Sequence, residues 1–273
     1  MALTLVSFNV NGVRSRLHQL QALKEQRAPD LIGIQESKVA DADFPITALN
    51  ALGYEVHAHG QKGHYGVALL TTQPLHQVVK GLPNDPPDAQ RRLITGYLPW
   101  LGDQQLVVIN GYFPQGEQRD HPLKFPAKRA FYAGLLDYLR TQFSPQQPLV
   151  VMGDMNVAPL DADIGIGAEN AQRWRRSGKC CFLPEEREWL QQLCAWGLHD
   201  SFRVRHPQLD DAFSWFDYRS RGFEREPKRG LRIDLMLITA PVRDRLQDAG
   251  IDYAIRALDK PSDHCPVWMT LDV

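Results

Sequence analysis

The sequence predicts an α/β fold, a four-layer α/β sandwich in which two packed β-sheets are flanked by helices. Three observations carry this expectation. Short apolar, β-branched runs recur along the chain and are bounded by Gly, Pro, Asn or Asp, as strands are. Helical patterns lie between them. Two segments also echo each other: LTLVSFNVNG near the start and PLVVMGDMNV near the middle both read as a buried strand, a small residue, then paired polar groups. Such an echo fits two similar sheets packed face to face, each feeding side chains to one rim.

The expected strands are Leu3–Phe8, Leu31–Ile34, Val67–Leu70, Leu93–Leu98, Leu106–Ile109, Leu149–Met152, Leu231–Ile238 and Val267–Leu271. Leu17, Leu20 and Leu23 share one helical face after Gly12, and Phe131, Leu135, Leu136 and Leu139 share another before Pro145. The clearest helix is PEEREWLQQLCAWG. Pro184 suits the first helical position, Glu185 and Glu186 complement the positive end of the dipole, and Gly197 can close the C-terminus. Its Trp189, Leu190, Leu193 and Cys194 form an inward stripe.

A chain of 273 residues with 43 % apolar and 23 % charged residues can bury a large core. No linker, low-complexity tract or composition break divides it, so residues 1–273 are expected to form one domain. The start, MALTLVSFNV, lacks the basic and long apolar regions of a signal peptide, and no stretch is apolar enough to span a bilayer. Cys180, Cys181, Cys194 and Cys265 show neither metal spacing nor disulfide density, which points to a reduced, cytoplasmic setting. A net charge of −1 argues against a simple polycation, but local basic patches occur: RWRRSGK, and Arg219 to Arg232 diluted by Glu224 and Glu226.

The polar residues that end the apolar runs form an unusual set: Asn9, Asn11, Glu36, Tyr112, Gln115, Asp154, Asn156, Asp263 and His264, with Asp234 embedded in RIDLMLI. Each alone has a plainer explanation as a turn, a cap or packing. Together they include four carboxylates that cannot all be buried bare, and a divalent cation would resolve the repulsion. Mg²⁺ takes one or two protein carboxylates and keeps several waters, which suits Glu36 and Asp263, and the lack of a Cys/His cluster disfavours zinc. Asp234 needs a cationic partner, either His264 or Arg232.

VSFNVNG, GIQESK, NGYFPQGEQRDHPLKFPAK, MGDMN, FLPEEREW, FSWFDYRS, RGLRIDL and KPSDHCPVW resemble the exonuclease III family over nearly the whole chain. This is the class II apurinic/apyrimidinic (AP) endonuclease branch of the endonuclease/exonuclease/phosphatase superfamily, whose fold is the DNase I-like sandwich. The resemblance implies a Mg²⁺-dependent (or Mn²⁺-dependent) DNA repair nuclease that incises 5′ of abasic sites, with 3′-to-5′ exonuclease and 3′-phosphatase activities. It implies that Glu36, Asp263 and Asn9 hold the metal, and that Asp154 orients or deprotonates the attacking water. Asn156 then positions that water, Asp154 and Asn156 also serve any second metal, Tyr112 contacts the phosphate, and His264 with Asp234 stabilises the transition state. Double-stranded DNA with abasic sites or blocked 3′ ends is the implied partner, bound by a monomer. Gln115, Arg119 and Lys124 are placed to grip its backbone, with Arg91 and Arg92 either adding to this or forming a solvated pair.

RWRRSGK, with Arg175, Arg176 and Trp174, is expected to be a loop on duplex phosphates, with a solvated helix face as the alternative. Phe213, Trp215, Leu231 and Ile233 look like a pocket for a base-less sugar, with core packing the even alternative for Phe213. RNA or phospholipid phosphoesterases of the superfamily should lack that pocket and that loop, and a silent DNA-binding module should lack part of the acid set. GFEREPKRGLR is longer than the usual family loop, and Cys265 stands where a small residue is common.

Overall fold

The computed structural model describes residues 2–273 and contains twelve strands: β1 (Ala2–Asn9), β2 (Leu31–Gln35), β3 (Glu55–His59), β4 (Val67–Thr71), β5 (Gln77–Lys80), β6 (Leu93–Pro99), β7 (Gln105–Tyr112), β8 (Leu149–Asp154), β9 (His199–Asp200), β10 (Asp234–Ile238), β11 (Leu246–Ile251) and β12 (Val267–Asp272). They form two six-stranded sheets, ordered β11-β12-β1-β2-β4-β3 and β5-β6-β7-β8-β10-β9. Each sheet has one parallel pair at its middle, β1 with β2 and β7 with β8; the other pairs are antiparallel.

Strand parity explains the layers, because successive side chains point to opposite faces. In β1, Leu5 faces the second sheet while Val6 and Phe8 face outward; in β8, Val150 and Met152 face inward while Leu149 and Val151 face outward. Leu5, Leu31, Leu69, Val108, Val150, Met152, Met236 and Met269 fill the space between the sheets. The sheets approach closely at Gly33, where a Cβ would lie 2.4 Å from the Met152 methyl carbon.

Helices cover both outer faces. The helix α1 (Leu17–Arg27) packs Leu20 and Leu23 on the first sheet. A short α2 (Ile46–Ala51) adds Leu49. On the second sheet, α3 (Lys124–Gln142) contributes Tyr132, Leu135, Leu136 and Leu139, and α5 (Pro184–Gly197) contributes Leu190 and Leu193. Between these lies α4 (Ala168–Ser177). This is the expected four-layer sandwich.

All eight expected strands form, although the last part of the chain run Leu231–Ile238 alone is strand, from Asp234 onward. The RWRRSGK expectation is corrected: residues 173–177 end the helix α4, which Gly178 closes in the left-handed conformation, so the basic run is a helix face and not a loop. Among the described residues, no helix is long and apolar enough to cross a membrane, and all four cysteines are free.

Candidate active site

The same parity that fills the core delivers the polar residues. Asn9 follows Leu5 and Ser7 on the inward face of β1, and Asp154 follows Val150 and Met152 on that of β8. Asp234 opposes Asp154 in the β8–β10 register, and Tyr112 lies beside Asp154 in the β7–β8 register. Behind them, buried Gln35 donates from Nε2 to Ser7 Oγ (3.0 Å) and to Asn110 Oδ1 (2.6 Å), and Asn110 donates to the carbonyls of Ile34 and Ala68. These bonds join the two sheets just beneath the site and satisfy polar groups that would be costly if left unpaired.

Asn9 Nδ2 donates to Glu36 Oε2 (3.0 Å) and to Asp154 Oδ2 (2.9 Å), so one amide spans both sheets. Glu36 follows β2 with φ 56°, a conformation that a non-glycine residue adopts only when its surroundings impose it. The imposed contacts are the Asn9 bond, Lys38 Nζ at 3.1 Å, and the Glu36 carbonyl accepting from the Gly12 N–H at 2.9 Å. Asp263 accepts from Asn11 Nδ2 (2.8 Å) and from Trp215 Nε1 (3.0 Å).

Asp234 pairs with His264, its oxygens 2.9 and 3.0 Å from Nδ1, and Ser214 Oγ donates to Asp234 Oδ2 at 2.6 Å. This decides between the two partners left open for Asp234. Arg232 turns instead to Asp163 and Asp200. His264 Nε2 points to Asp154, 3.8 Å from Oδ2. Burial alone would lower the His264 pKa, but Asp234 and Asp154 carry it up to about 10, so the ring is an imidazolium. Burial raises the Asp154 carboxyl well above its usual range; Asp234 and Glu36 add to the rise while His264 and Asn9 oppose it. Burial also pushes the Tyr112 hydroxyl far up, helped by Glu36 and Asp154, so it remains a donor.

Of these groups, Glu36, Tyr112, Asp154, Asp263 and His264 line a cavity of about 590 Å³, with Asn9 and Asp234 behind them. One wall is apolar, from Trp215, Leu231 and Ile233. The rim is basic, from Arg173, Lys179, Arg219, Arg225 and Arg229. Gln115 and Cys181 also line it. Phe213 does not: it is 4 % exposed and packs with Phe216 and Cys265 beneath the wall, its ring against Gly165. Trp174 lines the cavity and is stacked on Phe182.

The other basic candidates lie outside the cavity. Arg119 pairs with Glu185 at 2.9 Å, Lys124 with Glu117, and Arg175 with Asp161 at 2.8 Å, while Arg176 is exposed on α4. Arg119 and Arg175 share a second groove beside Phe182 and Arg187. Arg91 bonds Asp41 and the Gly60 carbonyl, whereas Arg92 stacks over the rings of Tyr65 and Tyr112.

Sequence reasoning missed Lys38, Ser214 and the structural part of Arg92. A hydroxyl inside the aromatic run FSWF was the available signal for Ser214. Lys38 ends the GIQESK stretch beside Glu36, and that adjacency was the available signal for it.

The donor set suits a hard cation. Glu36, Asp154 and Asp263 offer carboxylate oxygens with lone pairs to spare, and Asp154 is raised first by burial and further by the neighbouring Asp234 and Glu36 carboxylates, a strain that a cation would relieve. Asp154, Asp234 and His264 also present ligand atoms within 4.8 Å of one another. Asp234 there is already committed to His264 and Ser214, so it fits an orienting role better than a ligand role. Burial pushes the Cys181 thiol up to about 12, so no soft thiolate competes.

The sequence pattern of the Endonuclease/Exonuclease/phosphatase family matches residues 6–264. The chain belongs to that family. Among its relatives in the family, Exodeoxyribonuclease III of Haemophilus influenzae is 55 % identical over 263 residues, covering 96 % of this chain and 97 % of the relative. A 3′ phosphatase from Neisseria, solved bound to a product DNA hairpin, superposes with a TM-score of 0.90 at 36 % identity, covering 99 % of this chain and 100 % of that one. An AP endonuclease from Archaeoglobus fulgidus gives a TM-score of 0.90 at 33 % identity, again covering 99 % and 100 %.

Proposed function

We propose that this protein is a divalent-metal-dependent DNA repair nuclease that incises on the 5′ side of an abasic site. It leaves a 3′-hydroxyl and a 5′-deoxyribose phosphate, and it also trims duplex DNA from the 3′ end and removes 3′-blocking phosphates. One site serves all three reactions, since each is attack by water at a phosphorus beside a 3′ oxygen. The observation that carries the reading is the cavity itself. Glu36, Tyr112, Asp154, Asn156, Asp263 and His264 line it together with an apolar wall and a basic rim.

Glu36 and Asp263, with Asn9 orienting Glu36, would hold Mg²⁺ or Mn²⁺. A bound divalent cation supplies Lewis acidity that relieves charge on the phosphate oxygens and the leaving alkoxide. Asp154 orients the attacking water and takes its proton. Asn156 aims one amide N–H into the cavity, and Tyr112 donates its hydroxyl proton to a phosphate oxygen. The His264 imidazolium, held by Asp234, faces the negative charge that grows at the phosphorus. Trp215, Leu231 and Ile233 receive a base-less sugar, which is the easier guest because extruding an already unpaired sugar costs little. The basic rim and Gln115 hold the backbone on either side. The whole of residues 1–273 acts as one domain and as a monomer in the cytoplasm.

The test is cleavage of a duplex carrying one tetrahydrofuran site, with Mg²⁺ and with EDTA. A single nick on the 5′ side that EDTA abolishes supports the reading. No cutting, or cutting that survives EDTA, overturns it.

A further inference from the structure

Asn156 has φ 52°, and every polar group it carries but one is already engaged. Its N–H donates to Asp154 Oδ1 (3.1 Å), and its Nδ2 donates to the Phe113 carbonyl (3.0 Å). Its main-chain carbonyl accepts from Lys128 Nζ (2.8 Å), and its side-chain Oδ1 lies 3.7 Å from Cys181 Sγ, which donates. Only the second amide N–H has no partner among the described residues, and Asn156 lines the cavity. Lys128 is fully buried in α3 and pairs with equally buried Glu186 of α5; its third bond goes to the Gln115 carbonyl at 3.3 Å. The catalytic reading given above uses neither Lys128 nor Cys181.

We propose that Lys128 and Cys181 are positioning residues for Asn156, Lys128 through the main-chain carbonyl and Cys181 through the carboxamide. A carboxamide can flip to exchange its oxygen and nitrogen. Here a flip would set the oxygen against the Phe113 carbonyl and the nitrogen against the Cys181 proton, losing both bonds at once. The outcome is one orientation, with a single N–H aimed into the cavity. Lys128 fixes the other end of the residue by tying its carbonyl, and that of Gln115, to a charge anchored on a neighbouring helix. Glu186 is the anchor: its second oxygen accepts from the Leu183 N–H at 2.8 Å and so fixes the start of α5.

This inference rests on the role proposed for Asn156, and a double-mutant cycle separates the two. The reading is kcat and KM on the tetrahydrofuran duplex, with melting temperature followed for every variant. N156A should lower kcat. C181A should lower kcat about 3- to 10-fold with KM unchanged, C181S should restore it because a hydroxyl still donates, and C181A should add nothing on the N156A background. K128M/E186Q keeps the cap on Leu183 without stranding a buried charge, and should lower kcat more than C181A does. Equal losses from C181A with and without Asn156, or a lowered melting temperature with kcat unmoved, overturn the positioning role. Full activity in N156A instead overturns the assignment of Asn156 on which it stands. If K128M/E186Q fails to fold, the Cys181 cycle still decides.

Discussion

Two buried charge clusters lie two residues apart on one segment, and they are built differently. Arg232 is 1 % exposed and makes paired bonds to Asp163 and Asp200, with Arg203 on Asp163 as well. Two cations face two anions, and the cluster is closed. Around Asp234, four carboxylates (Glu36, Asp154, Asp234 and Asp263) face one imidazolium and one ammonium, His264 and Lys38. That cluster opens onto the cavity and is left negative. A balanced cluster holds a fold together, whereas an unbalanced one that opens to solvent suits a cation. The difference tells structure from function where either residue alone, an Arg or an Asp in a β-rich segment, would not.

The sharpest way to break this comparison is at Asp154. D154N should reduce kcat by about 10²–10⁴-fold, while the melting temperature in EDTA stays level or rises because a like charge is removed. A large loss of stability would place Asp154 with the structural cluster instead. R232M should do the reverse. It strands Asp163 and Asp200 and should cost about 3–5 kcal/mol in urea unfolding, with kcat of the folded enzyme within a few-fold of wild type. A small stability change would show that the closed cluster does not hold the segment.

Magnesium sharpens the contrast further. At about 100 times its dissociation constant it should stabilise the wild type by roughly 2.7 kcal/mol, and E36Q/D263N should lose that gain while R232M keeps it. Equal stabilisation of E36Q/D263N would move the cation site elsewhere. The smallest effect is spectroscopic. In EDTA, the His264 ring should stay protonated through neutral pH and titrate toward about 10. Because the carboxylates favour the charged ring, removing one lowers its pKa, so D234N should shift the NMR titration to lower pH. An unshifted titration would separate His264 from Asp234.

What the sequence conceals has a physical pattern. The strands it reveals are the central ones, buried on both faces and therefore rich in Val, Ile and Leu. The four it hides, β3, β5, β9 and β11, are the four sheet edges. Their residues, such as EVHAH and QVVK, are half polar because an edge needs less apolar cover and benefits from charge. The candidate site residues stand out only as a set: each alone passes for a turn or a cap, but several acids and amides ending buried strands together call for a shared partner. Phe213 was not separable from Trp215, since two aromatics two residues apart on a turn-rich segment do not announce which one is inside. Arg175 and Arg119 read as DNA contacts through the family resemblance, and their ion pairs with Asp161 and Glu185 form only on folding. RWRRSGK lacks a wide apolar stripe, so its helix is held by Ala171 and Trp174 and by the glycine that closes it.

One short stretch carries two of the site's side chains and is fastened twice. Asp263 and His264 immediately precede β12, which lies between β1 and β11 in the first sheet. The same stretch is bonded to the segment ahead of β10, where the Phe216 N–H donates to the Asp263 carbonyl and the Cys265 N–H to the Ser214 carbonyl. The acid and the imidazole are therefore held from two directions, by the strand that follows them and by the loop they cross.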